Sequence, residues 1–299
     1  MNPFLERLGF SPQDRVVIFH ADDLGMCHAV NQGFADVVER GAVCTGSVMV
    51  PCPWFPEVAA FARQHAAEVD LGVHLTLTCE WDVYRWGPLS TRDPASGLLD
   101  EEGYLWRDVP SLHGHMQLWA VEAELRSQME RALAAGVDVT HVDSHMGALL
   151  HPDLVPIYIA LATEHRIPAL IPRLSAEEMV QMGVSPEAAA RLEGWLAAVE
   201  RSGTLPLVDH VVNMYVMPRG KRLEEYAQVI RGLPSGLTHL AYHPSRPGSE
   251  IEGIIGGQWP IRVSDWEVFA GEEVPRLLQE HGVRVLTYRA LRDLMRSGC

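Results

Sequence analysis

Cysteine is scarce in this 299-residue chain, and what there is does not pair off. The five residues, Cys27, Cys44, Cys52, Cys79 and Cys299, are odd in number, scattered, and without a CxxC spacing. That excludes a disulfide framework and a zinc-finger site, and predicts reduced thiols in a cytoplasmic protein. Basic charge is also in short supply. Against 39 Asp and Glu there are 24 Lys and Arg, a formal charge of −15. So acidic a surface repels phosphate backbones and anionic headgroups, so neither nucleic acid nor a membrane is an expected partner. No apolar run approaches the ~18 residues of a spanning helix. The N-terminal MNPFLERLGFSPQDR lacks the basic start and apolar stretch of a signal peptide, which again predicts a cytoplasmic location. A GxGxxG turn, a P-loop lysine motif, repeats and linkers are absent as well. The chain therefore reads as a single domain over residues 1–299.

What is present is an ordinary globular composition, 47% apolar and 21% charged, in which short apolar runs alternate with helical patterns. Strands are expected at Arg15–His20, Thr45–Val50, Leu71–Leu77, Val139–Asp143, Ala169–Ile171, Val208–Val212, Leu237–Ala241 and Arg284–Leu286. Helices are expected at Ala29–Arg40, Trp54–His65 and Gln117–Ala135. Ser175 with Glu178, Ser264 with Glu267, and Ser185 before Pro186 carry the spacings of helix starts. Repeated βα alternation implies parallel strands with helices outside, because parallel pairing needs a crossover. The number of units favours a barrel over a doubly wound sheet. Two stretches break the rhythm and read as long loops. Glu80–His113 is an aromatic-rich insertion with Trp81, Tyr84, Trp86, Tyr104 and Trp106, and Arg246–Trp259 is rich in glycine. The aromatics fit equally well as platforms for a ring-shaped ligand or as packing against the barrel.

The strand ends carry the chemistry. In LGVHLTL the odd positions are aliphatic, while Gly72, His74 and Thr76 share the opposite face. The first strand runs out into Asp22 and Asp23, adjacent carboxylates that repel unless a cation or a shared proton intervenes. They also fit an Asx turn ending at Gly25. In the fourth run, His141, Asp143 and His145 share a face, and His243 closes a late strand. Each is weak alone. Together they would converge on the rim where α/β barrels place catalytic groups, and an Asp/His/His set is a common holder of a hydrolytic divalent ion.

The order ADDLG, GVHLTL, HVDSH and a late HP resembles the YdjC-like carbohydrate deacetylases, which include the chitooligosaccharide deacetylases and are distant relatives of the NodB-type polysaccharide deacetylases. The resemblance runs from about Arg15 to the C-terminal helix. It implies an irregular or incomplete (β/α) TIM-like barrel, one divalent metal ion, with Mg²⁺ and Zn²⁺ both open, and removal of an N-acetyl group from a small carbohydrate. It further implies Asp23, His74 and His145 as metal ligands, Asp22 as catalytic base, and His243 as catalytic acid. Asp143 is a candidate to orient an imidazole. The assembly state stays open, a homodimer included. The chain departs from the family at His20, usually Asn, at Leu24, usually Phe, and at Met146 and Gly147, where further histidines are usual. Two other readings use the same residues: a metal-dependent amidase on a non-carbohydrate N-acyl group, and a catalytically quiet sugar-binding relative.

Overall fold

Val16, Val17, Ile18 and Phe19 are all buried, which a strand can satisfy only when both faces of its sheet are covered. The computed structural model describes residues 2–41, 45–216 and 221–297. In it this run grows into the central strand β1 (Arg15–Leu24). The others are β2 (Thr45–Val48), β3 (Asp70–Leu75), β4 (Val139–Ser144), β5 (His210–Asn213), β6 (Gly236–Tyr242) and β7 (Val283–Val285). All pair in parallel, in the order β4-β3-β2-β1-β6-β5. β7 pairs with Arg15–Val17 of β1, whereas β2 meets β1 only at Ala21 and Leu24.

The fold is an α/β one of the irregular barrel type expected. The ends of the sheet are linked through an irregular stretch where a strand was expected at Ala169–Ile171. Val142 N–H donates to Pro168 O, Leu170 N–H to Val142 O, and Val208 N–H to Ile171 O. Only the isolated bridges Val142–Ala169 and Pro172–Val208 form. Pro168 and Pro172 supply no N–H, so a regular ladder cannot propagate there. Thus the sheet curls round but is stitched loosely at one seam.

Helix starts differ from expectation at one place. Ser175 and Glu178 form a capping box and Ser185 caps Ala188 N–H, as their spacing predicts. Ser264 lies inside the helix Trp259–Phe269, and its hydroxyl donates to Pro260 O at 2.8 Å. Pro260 already serves the first turn, so the serine bonds back along the helix instead of capping it. The Arg246–Trp259 stretch is also not wholly a loop. Ser249–Ile255 is helical, with Ile251 and Ile255 buried one turn apart. Its Glu250 accepts from Ala29 N–H at 2.8 Å, capping the helix His28–Glu39. Cys27, Cys52 and Cys79 are buried free thiols. Cys44 and Cys299 lie outside the described residues. Among the described residues no helix is long and apolar enough to cross a membrane.

Candidate metal centre

Asp23, at the C-terminal end of β1, has φ of 65°, a left-handed conformation that aspartate tolerates better than most residues. Neither carboxylate of the pair closes an Asx turn: Asp22 bonds His20, and Gly25 N–H is taken by Asn31 Oδ1. β3 and β4 bring their histidines to the same end. His74 Nδ1 lies 2.7 Å from Asp143 Oδ2. An ionised carboxylate can only accept, so this bond puts the hydrogen on Nδ1 and leaves Nε2 a bare lone pair. His145 Nε2 lies 2.9 Å from Glu80 Oε2, which by the same reasoning leaves its Nδ1 bare. These bare nitrogens are 3.2 Å apart. Both face Asp23 Oδ1, at 3.4 Å from His74 and 3.2 Å from His145.

Three lone pairs thus meet with no hydrogen between them, and Asp23 Oδ1 is buried without a hydrogen-bond partner. A cation would resolve that convergence. With metal–ligand distances of ~2.0–2.1 Å, ligands on a tetrahedral ion stand about 3.3 Å apart, which the three separations match. A proton is the other way to satisfy the cluster, and the local basicities reflect it. Burial pushes His145 down, but Glu80 and Asp23 outweigh it and raise the imidazole to about 9. Against the same burial penalty, Asp143 and Asp23 raise His74 well above its ordinary value. For Asp23, burial favours the neutral acid, yet the Arg262 guanidinium, 2.6 Å from Oδ2, holds the carboxyl well below the usual range.

Asp22 sits beside this triangle, its Oδ1 2.6 Å from His20 Nδ1 and its Oδ2 3.7 Å from His243 Nε2. Burial would raise its carboxyl, but His20 and the neighbouring imidazoles lower it, so it is ionised. His243 takes a backbone anchor from Asp265 Oδ2 at 3.0 Å, and its Nδ1 has no partner. Burial pushes His243 below its ordinary value, Asp22 opposing and Arg262 assisting. Asp23, His74, His145, Asp22, His243 and Asp143 therefore lie together at the strand ends, with Asp143 holding His74. Met146, next to His145, is left-handed at φ 53° and 60% exposed. A Cβ on Gly147 would touch only Leu150 Cδ1, at 3.8 Å.

Sequence reasoning missed three partners. Glu80 follows β3 in the stretch read as a loop, and its adjacency to GVHLTLTC was the available signal. Arg262 lies 239 residues from Asp23, with no local cue at all. His20 shares a strand face with Asp22, which its i, i+2 spacing could have shown. Other triplets close enough to hold an ion include His20 with His141 and Asp143, and His20 with Asp22 and His239. There, though, the His20 ring nitrogens are already engaged by Asp22 and His141. The aromatics of the insertion mostly pack. Trp86 is buried, and Trp81, Tyr84 and Trp106 lie against the main core, leaving Tyr104 exposed.

A family model described as YdjC-like protein matches residues 16–280. The carbohydrate deacetylase of Thermus thermophilus is 35% identical over 97% of this chain and 98% of its own length. That of Thermoanaerobacter pseudethanolicus is 23% identical over 93% of this chain and 100% of its own. A putative cellobiose-phosphate cleavage protein from Enterococcus faecalis superposes with a TM-score of 0.74 at 22% identity, covering 93% of this chain and 99% of that one. This last likeness supports the fold alone.

Proposed function

The chain belongs to the YdjC-like family, and from that premise we propose that it is a metal-dependent carbohydrate deacetylase, a hydrolase of the amide bond in a small N-acetylated sugar. The curated relatives named carbohydrate deacetylase support the reaction class. The observation that carries the metal is the lone-pair triangle of Asp23 Oδ1, His74 Nε2 and His145 Nδ1, with separations of 3.2–3.4 Å. In this reading those residues hold one divalent ion. The two imidazoles suit Zn²⁺ better than Mg²⁺, which favours oxygen ligands. Such an ion supplies positive charge that polarises the acetyl carbonyl and acidifies a water, whose pKa can fall from ~15.7 towards ~7.

The rest is done by side chains. Asp143 and Glu80 fix the rings of His74 and His145 so that bare nitrogens face inward. Arg262 balances the charge of Asp23 from the outer side. Asp22 is the base, ionised and with Oδ2 free to accept the proton of the attacking water. The amine is a poor leaving group until protonated. His243 is held below its ordinary value, so it can act as acid only after gaining a proton, and Asp22 Oδ2 at 3.7 Å is a source. The proton taken from water is in this way returned to the departing nitrogen.

The test is acetate release across a panel of N-acetylated mono- and oligosaccharides, with metal content determined before and after chelation. Release that disappears with the metal and returns on reloading is the expected result. Release only from non-carbohydrate N-acyl compounds would favour the amidase reading, and binding of sugar without release the quiet one.

A further inference from the structure

Below the rim, the barrel interior is filled by a chain of imidazoles that the reaction as described leaves unused. His20 is completely buried. Its Nδ1 meets Asp22 Oδ1 at 2.6 Å, and its Nε2 meets His141 Nε2 at 2.7 Å. His141 Nδ1 in turn lies 2.9 Å from the Thr140 hydroxyl, and its ring stacks on Tyr288 with centroids 4.0 Å apart. On the other side His239 packs against His20 at 4.7 Å and is tied to the Tyr288 hydroxyl at 2.9 Å. Gly72 makes room for this arrangement, since a Cβ there would stand 2.6 Å from the His141 ring.

Only one placement of hydrogens satisfies the chain with Asp22 ionised and one proton on each ring. The carboxylate can only accept, so His20 must carry its hydrogen on Nδ1. Its Nε2 is then an acceptor, which requires His141 to donate from Nε2. His141 Nδ1 is left to accept from the Thr140 hydroxyl at 2.9 Å, in place of that hydroxyl's longer contact to Leu71 O at 3.1 Å. The His20 tautomer that donates to Asp22 is thus also the one that His141 can complete from below. Asp22 has His20 as its one hydrogen-bond partner among the described residues. Without it, a carboxylate on a strand end, beside a cation site, is free to turn.

We infer that His20 is a positioning residue for the base: its Nδ1–H clamps Asp22 Oδ1, keeping Oδ2 turned toward His243 and available for the proton of water. This inference rests on the deacetylase reading of the site. It goes beyond it by assigning work to a fully buried histidine below the rim.

The experiment uses amide substitutions that copy one ring nitrogen at a time. His20→Asn places an N–H near the former Nδ1, while His20→Gln places one near the former Nε2. His20→Ala removes both. Expected for His20→Ala and His20→Gln is a fall in kcat of about 10–100-fold with KM and metal content unchanged, the usual weight of a partner that orients a reacting group. His20→Asn is expected to recover most of the loss. In an Asp22→Asn background, His20→Ala should cost nothing further, because its effect passes through Asp22. A glutamine variant as active as the asparagine one, or a full further loss in the Asp22→Asn background, overturns the inference. A readout independent of turnover accompanies these. One far-downfield imidazole N–H resonance should vanish in both His20→Ala and Asp22→Ala while those of His74 on Asp143 and His145 on Glu80 remain, and the absence of any resonance lost to both substitutions would also overturn the inference. A wild-type protein that releases no acetate would sink the deacetylase reading, while this resonance still decides the His20–Asp22 bond.

Discussion

Glu80 Oε2 accepts the Nε2–H of His145 at 2.9 Å, so a residue from the loop after β3 decides which nitrogen of the histidine just after β4 faces Asp23 and His74. Removing that acceptor frees the ring to flip and to change tautomer. Glu80→Ala is expected to weaken metal affinity by about 10–100-fold, as partners of ligating histidines usually do. The check is competition titration with a chelator, alongside a circular dichroism spectrum that should not change.

Arg262 and Asp23 are both almost fully buried, 2.6 Å apart. Taking away one member of such a pair leaves an uncompensated charge, at a cost of about 3–5 kcal/mol. In Arg262→Met a bound divalent ion would offset part of that cost. The melting temperature of the metal-free variant should therefore fall well below that of metal-free wild type, and the gap should shrink on metal loading. Equal gaps with and without metal would mean that Arg262 does not serve Asp23.

The pH dependence of the metal-free protein follows from the raised histidines. His145 is lifted from 6.5 to about 9 by Glu80 and Asp23, despite burial, and His74 moves in the same direction. A group with a raised folded pKa contributes stability that is fully present below its unfolded value and is lost as pH climbs through the folded one. Metal-free protein should thus lose stability between about pH 6.5 and 9. A bound ion replaces those protons, so metal affinity should rise over the same window. Denaturant melts with and without chelator across that range decide the point. A metal-free protein that gains stability with rising pH would contradict it.

Much of this was legible in the sequence because strand periodicity is short-range. The alternation in β3 puts His74 on the inner face, and the order of the strands along the chain puts Asp23, His74 and His145 at one end. Ala169–Ile171 has the apolar pattern of a strand, but the flanking Pro168 and Pro172 confine pairing there to isolated bridges. Ser264 misled because a capping spacing says nothing about whether the residues before it are already helical. Arg262 was invisible for a different reason, and Glu80 showed only by its place just after β3. Their partners come from tertiary packing across 239 and 65 positions, which no local pattern encodes.

Asp22→Asn separates base from ligand. Asparagine keeps the shape and can still face His20, but cannot take up a proton. Turnover should fall ~10²-fold or more, the usual scale for a general base, with metal content unchanged. Loss of metal with per-metal activity preserved would mean that Asp22 and Asp23 have each other's roles.

Gly72 links the fold to the site through a missing side chain. Its neighbours Leu71 and Val73 are buried on the helix side of β3, while its own inner side is occupied by the His141 ring. A Cβ 2.6 Å from three atoms of that ring cannot be absorbed by a small rotation, because His141 is stacked on Tyr288 and bonded to His20. Gly72→Ala is therefore an overpacking substitution, expected to destabilise by about 1–3 kcal/mol and to push His141 away from His20. The informative comparison is with His141→Ala and with the double variant. If the clash is the cause, Gly72→Ala should cost little stability once the ring is gone. Turnover should stay reduced in the double variant, because the support under His20 is still missing. Additive losses of stability would place the strain elsewhere in β3, and full turnover in the double variant would show that His20 holds Asp22 without help from His141.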